Sequence, residues 1–101
     1  MILFNTTFNL DPAIENEWLQ WARDVYFTLA LDSGYVHKHH LMRLRYETEN
    51  SGSTYSLQLF FEKDSHIEKF LEEYEYKALD KLSERFGSNV VYFQTMLDVV
   101  I

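Results

Sequence analysis

The chain has 101 residues, 47% of them hydrophobic and 17% aromatic, which is enough apolar material for one packed domain and too much for a disordered chain. Nine basic residues against sixteen acidic ones leave a net charge of −7, a balance that repels phosphate backbones and anionic lipid surfaces. Cysteine is absent, so disulfides and thiolate chemistry are excluded.

No apolar run approaches the roughly 18 residues a membrane helix needs. Met1 to Asn5 lacks the basic start and the small-residue cleavage site of a signal peptide. The expectation is a cytoplasmic protein with no membrane or nucleic-acid partner.

Residues 2–10 alternate, with Ile2, Phe4, Thr6, Phe8 and Leu10 on one side and Leu3, Asn5, Thr7 and Asn9 on the other. A period of two predicts a strand with one apolar and one largely polar face. Asp11-Pro12 then reads as a helix start, because Asp caps well and Pro at the first helical position forfeits an N–H that would be unpaired anyway. Ile14, Trp18, Trp21, Ala22, Val25 and Leu29 follow at helical spacing, with Glu15, Glu17, Gln20, Arg23 and Asp24 opposite. Leu19 and Tyr26 interrupt that polar side, and the helix is expected to finish by Gly34, with Tyr26–Ser33 set at an angle.

Residues 35–47 predict a second strand whose charges, Lys38, Arg43 and Arg45, suit a sheet edge. Leu41 and Leu44 are three apart, which predicts a bulge near Met42. Thr48 to Gly52 contains Asn-Ser-Gly, a turn signal that makes a hairpin with the next strand. That strand, Ser53 to Glu62, sets Tyr55, Leu57, Leu59 and Phe61 against Thr54, Ser56, Gln58 and Phe60.

Asp64 is expected to cap a second helix with a buried stripe of Ile67, Phe70, Leu71, Tyr74, Ala78, Leu82 and Phe86. Glu68, Glu72, Glu73, Glu75, Asp80 and Glu84 fall on its solvent side, and Gly87 ends it. The last strand is expected from Asn89 to Ile101, with Val91, Phe93, Thr95, Leu97 and Val99 alternating with Val90, Tyr92, Gln94, Met96 and Asp98.

The order β-α-β-β-α-β predicts an α+β, ferredoxin-like single domain over residues 1–101. Right-handed crossovers put both helices on one face of a four-stranded antiparallel sheet of order 4-1-3-2 and leave the other face open.

A set of short stretches in fixed order extends this reading. They are Asn5-Thr6-Thr7, Glu17 to Trp21, Leu41 to Leu44, Thr54 to Gln58, Arg85 to Gly87 and Phe93 to Val100. Together they resemble the short proteins grouped as domain of unknown function 4286, related to dimeric α+β barrel proteins. The resemblance implies a homodimer whose sheets pack face to face, and it implies no activity. Relatives in that pattern carry His and Pro in the second half of the first helix and His in the middle of the second. Here those regions read Tyr26-Phe27-Thr28 and Tyr74-Glu75-Tyr76, so an activity that needs those histidines is not expected of this chain.

Two constellations bear on function. The first is His37-Lys38-His39-His40, where His37 and His39 share a strand face. A metal site needs a third protein ligand, and the one remaining histidine, His66, starts the second helix, so no metal and no other cofactor is expected. The second is the open sheet face, assigned Asn5, Thr7, Ser56, Gln58, Phe60, Tyr92 and Gln94. Such a set suits either a wet dimer interface or a small-molecule pocket. A buried, unpaired Gln58 would cost roughly 1–3 kcal/mol, so a partner, a ligand or water must meet it.

Three functions stay open on this evidence: a small-molecule binding module, a cofactor-independent enzyme of isomerase or monooxygenase type, and a purely structural dimer. A titratable group with a displaced pKa in a pocket facing Gln58 would favour the enzyme. An RNA-binding reading fails on the acidic charge and on the shortage of aromatic and basic groups on the open face.

Overall fold

The computed structural model describes residues 1–47 and 52–101. The Asn50-Ser51 part of the predicted turn lies outside the described residues. Four strands, β1 (Ile2–Leu10), β2 (Lys38–Arg43), β3 (Ser53–Phe61) and β4 (Val90–Asp98), form one antiparallel sheet of order β2-β3-β1-β4. This is the expected ferredoxin-like arrangement read from its other edge. Both central strands bury every second residue, Ile2 to Leu10 on β1 and Ser53 to Phe61 on β3. Thr6 lies opposite Leu57 and Phe8 opposite Tyr55, so the two buried rows make one continuous floor under the helices.

The first helical segment opens as predicted. The Asp11 carboxylate accepts the Ala13 N–H at 3.0 Å, and Pro12 begins a 3₁₀ turn, Pro12–Ile14. Helix α1 (Glu15–Trp21) continues into a π-helical stretch, Ala22–Phe27, and then α2 (Thr28–Asp32). The second segment repeats this plan with α3 (Asp64–Phe70), a π-helical stretch at Leu71–Glu75, and α4 (Tyr76–Phe86). Trp18, Trp21, Phe8, Phe70 and Phe61 pack as the core between the helices and the floor.

Several local expectations change. β2 is shorter than residues 35–47, and its pairing with β3 is regular from Lys38 opposite Phe60 to Arg43 opposite Tyr55, without a bulge at Met42. Leu41 therefore faces the helices while Leu44 does not, and their three-residue spacing needs no extra residue. Lys63 holds the N-cap position of α3, and Asp64 is its first helical residue. β4 ends at Asp98, with one further backbone bond from the Val99 N–H to the Met1 carbonyl.

Gly52 enters β3 with φ at 79°, and a β-carbon there would stand 2.6 Å from the Leu10 carbonyl oxygen. The left-handed φ and the close approach of the Leu10 backbone both call for glycine.

Candidate functional site

The two π-helical stretches decide what reaches the interior. A π-bulge adds one residue to a helical turn and rotates everything beyond it relative to regular α spacing. In the first segment the buried series Trp18, Trp21, Ala22 should continue at Val25 and Leu29. It continues instead at Tyr26, Phe27 and Ala30, while Val25 and Leu29 are only partly buried. In the second, Ile67 and Phe70 should lead to Tyr74. The inward position is taken by Glu75, only 4% exposed. The sequence expectation that Glu75 lies on the solvent side, and Tyr26 among polar positions, is thus corrected by the same one-residue insertion in each helix.

The two side chains meet. The Tyr26 hydroxyl donates to Glu75 Oε2 at 2.6 Å. Gln94, on β4, donates its amide Nε2 to Glu75 Oε1 at 2.9 Å and lies 3.3 Å from Thr6 Oγ1. Tyr26, Glu75, Gln94 and Thr6 thus form a connected chain of four polar side chains between helices and sheet.

Burial pushes the Glu75 carboxyl up from 4.5 to about 7, against the pull of the Tyr26 and Gln94 hydrogen bonds. Burial, followed by the Glu75 charge, raises Tyr26 well above its ordinary value. A carboxyl that changes protonation near neutrality, held by a phenol and an amide, can take up and return a proton at physiological pH.

The pairing of β4 with β1 settles which way Gln94 points. Gln94 is opposite Thr6, Tyr92 opposite Phe8 and Met96 opposite Phe4, so all three stand on the helix side. The Tyr92 and Phe8 rings are 5.7 Å apart. The assignment of Tyr92 and Gln94 to the open face is therefore corrected, because Val91, Phe93, Thr95 and Leu97 occupy it. The helix layer stops at β1. Phe8 and Phe4 are 0% and 4% exposed, whereas their partners Tyr92 and Met96 are 44% and 53% exposed. Beside this chain of polar groups there is thus an uncovered step of sheet with Gln94 at its centre.

The other predicted residues, Asn5, Thr7, Ser56, Gln58 and Phe60, do share the open face. Their polar groups are linked to one another. Asn5 Nδ2 donates to Thr7 Oγ1 at 3.0 Å and to Thr95 Oγ1 at 3.3 Å. Ser56 donates to Asn5 Oδ1, and Gln58 Nε2 to Ser56 Oγ at 3.1 Å. Gln58 is therefore met by its own neighbour. Phe60 lies under Lys38, whose ammonium is 4.6 Å from the ring centroid, and beside His40, so the open face carries a cation at its β2 edge.

The histidines separate. His37 pairs with Glu62 at 2.9 Å, and His39 packs on Phe27 with ring centroids 4.6 Å apart. Among the described residues no three His, Cys, Asp or Glu side chains converge as metal ligands, and no helix is long and apolar enough to cross a membrane.

Comparison with known proteins places this geometry in a family. The model described as Domain of unknown function (DUF4286) matches residues 1–100, so the chain belongs to that family. No curated protein matches it. Among solved structures it is similar to an ethyl tert-butyl ether d (ethd) family protein from Bacillus halodurans, with a TM-score of 0.71, 10% identity, and 99% of this chain and 100% of that one covered. It is similar to HapK from Hahella chejuensis, with a TM-score of 0.70, 12% identity and coverage of 99% and 93%. It also resembles a dimeric ferredoxin-like protein from an uncultured marine organism, with a TM-score of 0.66, 9% identity and coverage of 99% and 95%. At these identities the likeness is one of fold.

Proposed function

We propose that this member of the family is a cofactor-independent enzyme that moves a proton on a small organic substrate, with Glu75 as the group that takes and returns it. One observation carries the reading: a carboxyl 4% exposed, raised to about 7, with hydrogen-bond donors on both oxygens and no cation bonded to it among the described residues. Burying a carboxylate without a counter-charge destabilises a fold, and catalytic acids and bases are a recurrent reason for keeping one. Both the base and its phenol partner sit on π-helical turns, a feature that recurs at functional sites. In the proposed step Glu75 removes a proton from a carbon beside a carbonyl. The C–H electron pair moves through the new C=C bond onto the carbonyl oxygen as an enolate, and the enolate collapses as Glu75 returns a proton to carbon, after that proton has exchanged with water. The displaced titration sits beside Gln94, on the opposite side of the sheet from Gln58.

The reading includes a homodimer through the open sheet face. Val91, Phe93 and Leu97 are 60%, 62% and 53% exposed there, beside a polar centre already satisfied within the chain. A self-satisfied polar centre with an apolar margin favours an interface over a ligand pocket on that face, and one solved structure of the same fold is described as dimeric.

Deuterium exchange tests the chemistry. A panel of 1,3-dicarbonyl compounds in heavy water should gain deuterium faster with protein than with buffer, with a rate that rises through pH about 7. Folded Glu75→Gln should lose the acceleration. Exchange no faster than buffer across the panel, or unaltered in Glu75→Gln, would refute the proposal.

A further inference from the structure

The step of sheet beside Glu75 has a specific chemistry. Its floor is the helix side of β4, where Tyr92 and Met96 flank Gln94 and are both substantially exposed. Gln94 is itself exposed, yet its amide nitrogen reaches inward to Glu75 Oε1 and Thr6 Oγ1. It is the group that stands between the buried carboxyl and the open side of the step. Glu75 itself is only 4% exposed, and the Gln94 amide is bonded to its Oε1. The one charged neighbour further along the same row is Asp98, an anion. No Lys, Arg or His contributes to holding the Glu75 charge.

We infer that the substrate of this site is an uncharged, flat molecule with an O–H or N–H donor, which lies on Tyr92 and Met96 and displaces the Gln94 amide from Glu75. The inference rests on the proposed function of Glu75 and specifies what that site accepts. The amide that occupies the position now is a neutral donor, so an enol, phenol or amide edge can replace it bond for bond. A carboxylate or phosphate would meet the Glu75 carboxylate, on which no cation acts among the described residues, with Asp98 further along the same row. An ammonium would have to lose its water against apolar Met96 and an aromatic ring edge to reach a carboxyl that is itself half protonated at neutral pH. A planar molecule makes full contact with the exposed Tyr92 ring and the polarisable Met96 thioether. Swinging Gln94 outward costs little, because the side chain is already at the surface and water can take over its amide bonds.

Calorimetric titration at neutral pH with 2-naphthol, 2-naphthoate and 2-naphthylmethylammonium tests this. These probes share one ring system and differ in charge. 2-Naphthol should bind at least about tenfold more tightly than either ion. Its affinity should fall by a similar factor in Tyr92→Ala and in Glu75→Ala, with the fold checked by circular dichroism, while Phe93→Ala on the opposite face leaves it unchanged. Equal or tighter binding of either ion, no saturable binding of 2-naphthol, or binding indifferent to Tyr92 would overturn the inference.

The Glu75 side-chain titration followed by carbon NMR separates this result from the parent reading. If Glu75 titrates near 7 and 2-naphthol does not bind, the substrate class is wrong and proton transfer stands. If Glu75 titrates as an ordinary carboxyl, the proton-transfer reading falls, and this inference with it.

Discussion

The Tyr26 hydroxyl donates a 2.6 Å hydrogen bond to Glu75 Oε2 across the space between the two helices, and each residue lies in the π-helical stretch of its own helix. The pair links a backbone irregularity to a chemical property. Without the extra residue in each turn, regular spacing would bury Val25 and Tyr74, and the interior would hold no carboxyl.

Glu75 makes stability depend on pH in a direction opposite to that of most acidic groups. It holds a proton more tightly when folded, at about 7, than its ordinary 4.5. Below pH 4.5 both states carry that proton and the group adds no pH dependence. Between 4.5 and about 7 only the folded state carries it, so stability falls as pH rises, and above that window the cost is complete. The displacement corresponds to roughly 3 kcal/mol. Glu75→Gln should therefore be more stable than the wild type at pH 8 and no more stable at pH 5, as measured by urea denaturation. A constant difference between the two pH values would rule this out.

Glu15 works on the acid side. Its carboxylate accepts hydrogen bonds from the Tyr55 and Ser53 hydroxyls, with Arg43 at 3.6 Å. The Tyr55 hydrogen bond, against a smaller effect of burial and helped by Ser53 and Arg43, holds its pKa below 4.5. Its contribution is present above the unfolded value and lost as pH falls through the folded one. Together the two carboxyls place a stability maximum at mildly acidic pH. Glu15→Gln should flatten the acid limb of the profile and leave the neutral limb unchanged.

Tyr26→Phe removes a donor from a buried carboxylate while keeping the ring. The loss should be about 1–3 kcal/mol at pH 8. It should shrink at pH 5, where Glu75 is protonated. The Glu75 titration should also move upward in the variant. Equal losses at both pH values, with the titration unmoved, would mean that the hydroxyl does no more than fill space.

The fold was legible because the two central strands bury one face completely. Ile2 to Leu10 and Tyr55 to Phe61 alternate without exception, and Asp11-Pro12 and Gly87 punctuate the helices. The site was less legible for two physical reasons. Periodicity counts assume 3.6 residues per turn, and a π-bulge leaves no mark in the apolar pattern that a sliding count can separate from a wide stripe. Tyr26 interrupting a polar face was the visible trace. The second reason is that β4 lies beyond the helix layer. With neither of its faces deeply buried, Tyr92 and Gln94 look as suitable for the open side as Phe93 and Thr95, and only the pairing with β1 assigns them.

Gly52→Ala should destabilise the protein by more than about 1 kcal/mol, because a left-handed φ and a backbone oxygen 2.6 Å from the new methyl act together. Gly34→Ala is the control, since it shares the positive φ and has open space around it. Similar losses in both variants would show that conformation alone, and not the approach to Leu10, sets the requirement at Gly52.

Leu57 and Gln58 test the two faces of the sheet with one step along the chain. Leu57 is fully buried under the helices, opposite Thr6, whereas Gln58 is half-buried on the open face opposite Asn5. Leu57→Asp puts an unpaired charge into the core, and the cost of several kcal/mol threatens a domain whose total stability is of the order of 5–15 kcal/mol. Gln58→Asp leaves the core intact, so a monomer carrying it should fold. In a dimer through the open face, two-fold symmetry repeats the charge and removes it from water, so association should weaken sharply. Phe93→Asp, on the same face at an exposed apolar position, should do the same. Circular dichroism and sedimentation velocity together separate the outcomes. Leu57→Asp is expected unfolded or insoluble, and Gln58→Asp and Phe93→Asp are expected folded and monomeric. If both open-face variants sediment as the wild-type dimer does, the interface lies elsewhere. If the wild type is itself a monomer at the highest concentration reached, the apolar margin of Val91, Phe93 and Leu97 has a different occupant.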